Sequence, residues 1–435
     1  MNSNSMSENG RADRPWSAVL ARLRRGKSAL RAAAPYHRRH RMTVALCCAS
    51  AWLAVSPGVA TGGQWNGYEQ IDFNVGGRGA LLVVPKTPAP GKHWIWRTEF
   101  FGIDPQADIA LLGEGVYVAY IGVGGLHGAP VALDAMDKFY DHVTKTYGLN
   151  PKTVLEGFSR GGLYALNWAI RHPERTAGIY LDAPVCDFKS WPGGGGGSQG
   201  RLVKMYGREW GEVLAAYKMT DAEARAYKGN PIDKNENLEP LVKAKVPIFC
   251  VCGDMHDWVV PIEGNTLALE KRYKELGGVI TVIRKPGAGH RPHSLPDPTP
   301  IVNFVLKYTT GGGKKVRATN TYQKQAEYGA DMATDGNVAT RWATDSNITK
   351  ACLEVDLGKP KDLTKVEINE WAEGGQRVQS FKLEYKTGEV WKTLIDGKTI
   401  GANFNQTFTP VKAQLVRLNI LQSTAGPSIA EFSLK

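Results

Sequence analysis

Cysteine is scarce in this chain: six residues in 435, two of which, Cys47 and Cys48, fall within the first 60. The other four, Cys186, Cys250, Cys252 and Cys352, have no C-x-x-C spacing and too few histidines nearby for a zinc site. Buried free thiols are expected, with one disulfide to Cys186 as the alternative in an exported chain. No internal repeat occurs, and no basic stripe interleaved with aromatics, which argues against nucleic acid as a partner. The formal charge of +12 is no counter-argument, because the first 60 residues hold ten Lys/Arg against two acids and the remainder 44 against 40.

What the first 60 residues do contain is "HRRHRMTVALCCASAWLAVSPGVATGG": a basic lead, an uncharged apolar run and the small-residue pattern Gly58-Val59-Ala60. That is the order of parts in a secretory signal peptide, here after a long basic extension, so residues 1–61 are read as extension plus leader. The apolar run is short for a spanning helix, which needs about 20 residues; an N-terminal anchor is the alternative reading. Leu46 is too bulky before Cys47 for lipoprotein processing. Secreted or periplasmic localisation follows, with no membrane partner after cleavage.

Two textures divide the rest. Residues 62–308 alternate apolar runs with helical patterns; residues 316–435 are short alternating segments; "TTGGGKK" (residues 309–315) reads as a flexible linker. Strands are expected at 80–85, 93–100, 117–123, 153–159, 178–184, 247–254 and 279–286, and helices at 131–147, 161–172, 263–275 and 298–308. Several of the strands are continuously apolar, as strands covered on both faces must be. The expectation is an α/β fold, a mostly parallel sheet with helices on both faces, followed by an all-β sandwich.

Within "TVLEGFSRGGLYALNWA", a buried strand turns into a helix at Ser159. Gly157 and Gly161 remove side chains that would collide in so tight a turn, which fits the G-x-S-x-G nucleophile elbow. The turn lifts the hydroxyl and places the Arg160 N–H at a helix N-terminus, where an oxyanion would form. A serine nucleophile needs a base, and the base an orienting carboxylate. Asp257, four residues before Pro261 in "GDMHDWVVP", or Asp254 is available as the acid; His290 or His293 in "GAGHRPHSL" as the base.

These three segments resemble the α/β-hydrolase fold over residues 62–308. The resemblance implies acyl transfer to water without a cofactor: Ser159 attacks a carbonyl, His290 shuttles the proton and Asp257 holds the imidazole. It also implies a second oxyanion donor from the backbone around Thr98–Glu99. "GFSR" resembles the glucuronoyl esterases, in which the arginine faces the oxyanion; the alternative is that Arg160 pairs with an acid. "DFKSWPGGGGGSQG" opens an insertion, about residues 187–246, expected to form a cap. Trp191 and Trp210 are candidate pocket walls or cap packing, and His256 could line the pocket.

The last 120 or so residues, through "DMATDGNVATRWATD", "LEVDLG" and "EGGQRVQSFKLEY", resemble the discoidin-like (coagulation-factor C-type) sandwich, in particular the module appended to α-L-fucosidases. The resemblance implies sugar binding and a structural Ca2+ held by Asp335, Thr340 and Glu431, all oxygen donors as a hard cation needs. Trp342 is expected in the core; Tyr322, Tyr328 and Trp371 are candidates for stacking on sugar. Together the two halves suggest a secreted carbohydrate esterase acting on polysaccharide or oligosaccharide esters. The alternatives are a prolyl-oligopeptidase-like peptidase and a glycan binder whose hydrolase-like half is only a scaffold.

Overall fold

The structure, a computed structural model, describes residues 61–195, 206–311 and 315–435. The expected extension and leader lie outside the described residues but for Thr61, as do Cys47 and Cys48, part of the glycine-rich segment and the middle of the linker.

Nine strands form the first sheet: β1 (Thr61–Trp65), β2 (Tyr68–Val75), β3 (Arg78–Val84), β4 (Trp94–Arg97), β5 (Tyr117–Ile121), β6 (Thr153–Phe158), β7 (Thr176–Asp182), β8 (Ile248–Gly253) and β9 (Ile280–Lys285). Their spatial order is β1-β2-β3-β5-β4-β6-β7-β8-β9. The first three form an antiparallel meander whose β3 meets β5 antiparallel; from β5 to β9 every pairing is parallel. The helices are α1 (Gln106–Gly113), α2 (Pro130–Thr146), α3 (Gly161–Arg171), α4 (Gly207–Tyr217), α5 (Asp221–Ala226), α6 (Asn235–Lys243), α7 (Thr266–Glu275) and α8 (Thr299–Tyr308).

Alternation within each strand explains the unbroken apolar runs. Trp94, Trp96, Leu155, Leu181 and Cys250 share one core with residues of α2, α3, α6 and α7; Ile95, Val154, Tyr180 and Val251 share another with α1 and α8. The Trp96 ring lies 5.0 Å from both Phe139 of α2 and Trp168 of α3, so the largest side chains knit the sheet to its helices. Cys186, Cys250 and Cys252 are buried free thiols, and no disulfide forms at Cys186.

The second layer comprises β10 (Lys315–Ala318), β11 (Trp342–Ala343), β12 (Ala351–Glu370), β13 (Val378–Thr387), β14 (Val390–Gly397), β15 (Phe404–Ser423) and β16 (Ser428–Leu434), all antiparallel. β12 breaks register with β15 between Asp356 and Lys361 and again between Leu363 and Lys365, bulges that let a 20-residue strand bend. Trp342, Phe381, Leu353, Leu418 and Phe432 fill its core. The linker is shorter than expected: Thr309 and Thr310 still bond to the last turn of α8, and Lys315 already belongs to β10. Lys359 and Lys361 pair with Glu114 of the first layer. Among the described residues no helix is long and apolar enough to cross a membrane.

β6 and α3 meet almost without a gap. A Cβ on Gly157 would sit 2.8 Å from the Gly161 carbonyl oxygen, and one on Gly162 2.6 Å from Pro184 Cβ. Backbone cannot swing aside as a long side chain can. Gly157→Ala is therefore expected to destabilise the chain by about 1–3 kcal/mol, as overpacking of tight cores does; urea unfolding monitored by tryptophan fluorescence measures it.

Candidate active site

Ser159 is the first of the two residues between β6 and α3, at φ +49°. A non-glycine residue in the left-handed region costs on the order of 1–3 kcal/mol and persists only where its surroundings over-determine it. Here three backbone bonds do so. The Ser159 N–H donates to Asp182 O (3.0 Å), and Ser159 O accepts from Gly162 N (3.0 Å) and Val185 N (2.8 Å).

The loop after β9 brings His290 to this hydroxyl. Nε2 lies 3.0 Å from Ser159 Oγ, and Nδ1 lies 2.8 Å from Asp257 Oδ2. Asp257 is 2% exposed, and its Oδ1 accepts from the Val259 and Val260 N–H groups at 2.8 and 2.9 Å. A carboxylate can only accept, so Nδ1 carries the ring proton toward Asp257 and Nε2 is left to accept from the serine. Asp254 is exposed and caps a turn, accepting from Gly287 N (2.7 Å). His293 has no bond to Ser159. Its ring stacks on Phe158 at 5.0 Å and meets His290 edge-on at 5.2 Å, while Nδ1 lies 3.0 Å from Asp182.

Asp182, at the end of β7, is the residue the sequence reading passed over. Fully buried, it accepts from the Ser294 N–H (2.7 Å), His293 Nδ1 and Lys285 Nζ (3.1 Å); Lys285 Nζ also donates to Pro292 O. Its side chain thus holds the loop that carries His290, while its carbonyl holds the Ser159 amide. Burial holds the His293 imidazole below its ordinary pKa, against the opposing pull of Asp182. The sequence signal was an aspartate closing an otherwise apolar strand, "GIYLD", which resembles any strand-end turn residue.

At the proposed oxyanion position the backbone N–H groups of Arg160 and Glu99 have no hydrogen-bond acceptor among the described residues. Thr98 must be dropped as a donor: its N–H donates to Glu156 O (2.9 Å), and its hydroxyl lies 2.9 Å from both Glu156 O and Gly161 O. The Arg160 guanidinium does pair with an acid, Glu99 (3.3 Å), and lies over the Phe100 ring. Burial raises the Glu99 pKa against the opposing pull of Arg160.

The insertion is only partly a cap. α6 joins the core beneath the sheet through Leu238 and Leu241. Trp210 is no pocket wall: it is buried with Phe188, Val213 and Ala224, and its indole N–H donates to Asp221 (2.8 Å). Trp191 belongs to the same buried cluster, 6.0 Å from the His127 ring. His127, which the sequence reading left unassigned, is fully buried and contacts Glu212 of α4 at 3.2 Å, tying α4 to the loop before α2. His256 is exposed and packs against exposed Trp258 at 4.1 Å.

In the sandwich, Asp335, Thr340 and Glu431 come together. The Thr340 hydroxyl lies 2.8 Å from Asp335 Oδ2, 2.7 Å from Asn337 O and 3.5 Å from Met332 O, so one proton faces several acceptors. Glu431 accepts from Gly336 N (3.0 Å) on the same loop. Burial pushes the Asp335 carboxyl up to about 7. Among the described residues no group of three or more His, Cys, Asp or Glu side chains could hold a metal ion, but Asp335, Thr340 and Glu431 supply oxygen donors of the kind a hard cation takes. Tyr322 and Tyr328 meet edge-to-face at 5.3 Å, and Trp342 is fully buried in the core.

Residues 315–432 match the family model of the F5/8 type C domain, and the C-terminal module is a domain of that type. A protein of Oryza sativa subsp. japonica named as an alpha-L-fucosidase 1 is 29% identical over 98 residues, covering 22% of this chain and 19% of that protein. The chain thus matches about a fifth of the length of this curated relative. Among solved structures, chitosan-binding module 1 of a chitosanase/glucanase from Paenibacillus sp. IK-5 is 26% identical, covering 28% of this chain and 94% of that one, with a TM-score of 0.26. The family 32 carbohydrate-binding module of C. perfringens NanJ, solved with galactose, is 22% identical over 28% of this chain and 92% of that one, with a TM-score of 0.25.

The Asp182 cluster is testable by stability alone. Asp182→Asn leaves the Lys285 ammonium buried without a countercharge, a change that costs on the order of 3–5 kcal/mol. The melting temperature of Asp182→Asn should fall well below that of a surface control such as Asp254→Asn.

Proposed function

We propose that the chain is a serine hydrolase of the α/β-hydrolase type that cleaves carboxylic esters on a polysaccharide, with the F5/8 type C module holding the glycan. The observation that carries this reading is the pair of bonds at His290, 3.0 Å to Ser159 Oγ and 2.8 Å to Asp257. The order of the sheet, with its single β5/β4 exchange and Ser159 after a central parallel strand, supports it as well.

The geometry fits a two-step acyl transfer. Ser159 Oγ adds to the ester carbonyl carbon as its proton passes to His290 Nε2, and Asp257 stabilises the imidazolium through Nδ1–H. The carbonyl oxygen becomes an oxyanion facing the N–H groups of Arg160 and Glu99. Collapse breaks the ester C–O bond, His290 protonates the departing alcohol, and Ser159 is left acylated. Water then adds with His290 as base, and the acid departs with the serine hydroxyl restored. No cofactor takes part.

The glycan reading rests on the module, a domain of the F5/8 type C family whose rice relative is named for a fucosidase. Tethering such a module to the hydrolase raises local substrate concentration without new chemistry. Calcium at Asp335, Thr340 and Glu431 would neutralise the acceptor cluster and brace the loop between them. Export is part of the proposal, on the basic lead and apolar run of the first 60 residues.

Ser159→Ala is expected to lower ester hydrolysis by at least about 10^4-fold and to abolish labelling by a fluorophosphonate probe. Acetyl, feruloyl and methyl-uronate esters are the substrates to screen. Retained activity in Ser159→Ala sinks the proposal, and wild type that neither labels nor hydrolyses would leave a glycan-binding protein. For the metal, chelation should lower the melting temperature of the full chain, calcium should restore it, and Asp335→Ala should remove the response.

A further inference from the structure

We infer that the sandwich carries a receptor for a carboxylated sugar, built on Arg341 beside the rings of Tyr328 and Trp371. The inference rests on the module and not on the serine chemistry.

The guanidinium carbon of Arg341 lies 4.9 Å from the Tyr328 ring centre and 4.4 Å from that of Trp371. Tyr322 extends the patch, edge-on to Tyr328. All four residues are half-buried, so the patch is neither core nor fully solvated surface. Among the described residues no carboxylate or carbonyl is paired with Arg341. Arg377 and Arg417 differ: Arg377 donates to the Gly374 and Gly426 carbonyls, and Arg417 pairs with Glu384 at 2.7 Å. A ring face accepts no conventional hydrogen bond, so the planar fork of N–H donors at Arg341 remains for a ligand.

The position is held from both sides. Thr340, just before, is fixed by Asp335 and Asn337 O; Trp342, just after, is fully buried, with its indole N–H on Asn320 O (2.8 Å). A guanidinium steered by aromatic rings on a backbone this constrained loses little freedom on binding. Its fork matches a carboxylate bidentately. The guanidinium covers a face of Tyr328 and of Trp371, and Tyr322, which it does not cover, is the ring left to meet the C–H face of a pyranose. Carboxylate and sugar face together define a uronate residue.

The test uses the full-length Ser159→Ala chain, so that ester probes are not turned over and the result stands apart from the hydrolase reading. Isothermal titration compares oligogalacturonate, as the free acid, with the same oligomer fully methyl-esterified. The free acid should bind at least about tenfold tighter, the scale set by charge-assisted hydrogen bonds. Adding Arg341→Gln should erase that difference, and Arg341→Lys should restore only part of it. Tyr322→Ala should weaken both forms alike. Equal affinity of the parent for acid and ester overturns the inference. So does unchanged free-acid binding by an Arg341→Gln chain that melts like the parent, or absence of binding to galacturonate, glucuronate and mannuronate oligomers alike. Should Arg341→Gln fail to fold, the acid-against-ester comparison in the parent decides alone.

Discussion

One buried carboxylate couples the two halves of the candidate site. Asp182 ends β7, the strand beside the one that carries Ser159, and its carbonyl accepts the serine's own N–H while its side chain grips Lys285, His293 and the Ser294 amide. The strained serine turn and the long loop bearing His290 therefore share one anchor. Taking such a carboxylate out of water is costly, and only a full set of donors offsets it. What the arrangement yields is registry: His290 has a bond at each ring nitrogen only where that loop is held.

The sheet's order is what makes this sharing geometrically available. Parallel strands β6, β7, β8 and β9 end on the same edge, so the serine turn, Asp182, the Asp257 loop and the His290 loop all emerge together. Helices cover both faces, which leaves that edge as the place where irregular backbone and polar side chains can gather. The tight entry into α3, enforced by Gly157 and Gly162, follows directly on the serine turn.

Much of this was legible in the sequence because burial on both faces writes a plain signal. The unbroken runs at 117–121, 153–158 and 248–253 lie within the strands expected there, and the glycines around Ser159 marked a turn that only small residues permit. The meander of β1 and β2 escaped notice: "YEQIDFNV" is half-exposed and polar, and its strand character comes from pairing with β3. The choice between Asp254 and Asp257 turned on loop direction, which residue spacing does not encode. Thr98 was misassigned because strand pairing with β6 consumes its N–H one residue past the strand's end, and Trp210 stayed open between wall and packing because a tryptophan that packs reads the same as one that binds. Asp182 and Arg341 were invisible for a shared reason: each acquires its role from neighbours more than a dozen residues away.

The two arginines at the candidate sites make opposite electrostatic offers. Arg160 is already spent on Glu99, a carboxylate 6% exposed. A free carboxylate that sought the Arg160 guanidinium would have to displace Glu99, a buried acid, from it. A neutral ester carbonyl faces no such contest, and the charge that develops on its oxygen is met by the two backbone N–H groups. Arg341 has no internal acid to displace and lies where a carboxylate can reach it. Under the proposed reading, the catalytic half favours the uncharged ester and the sandwich favours its charged hydrolysis product. On that reading the chain would hold to stretches of polymer already processed while its serine worked on the esters that remain.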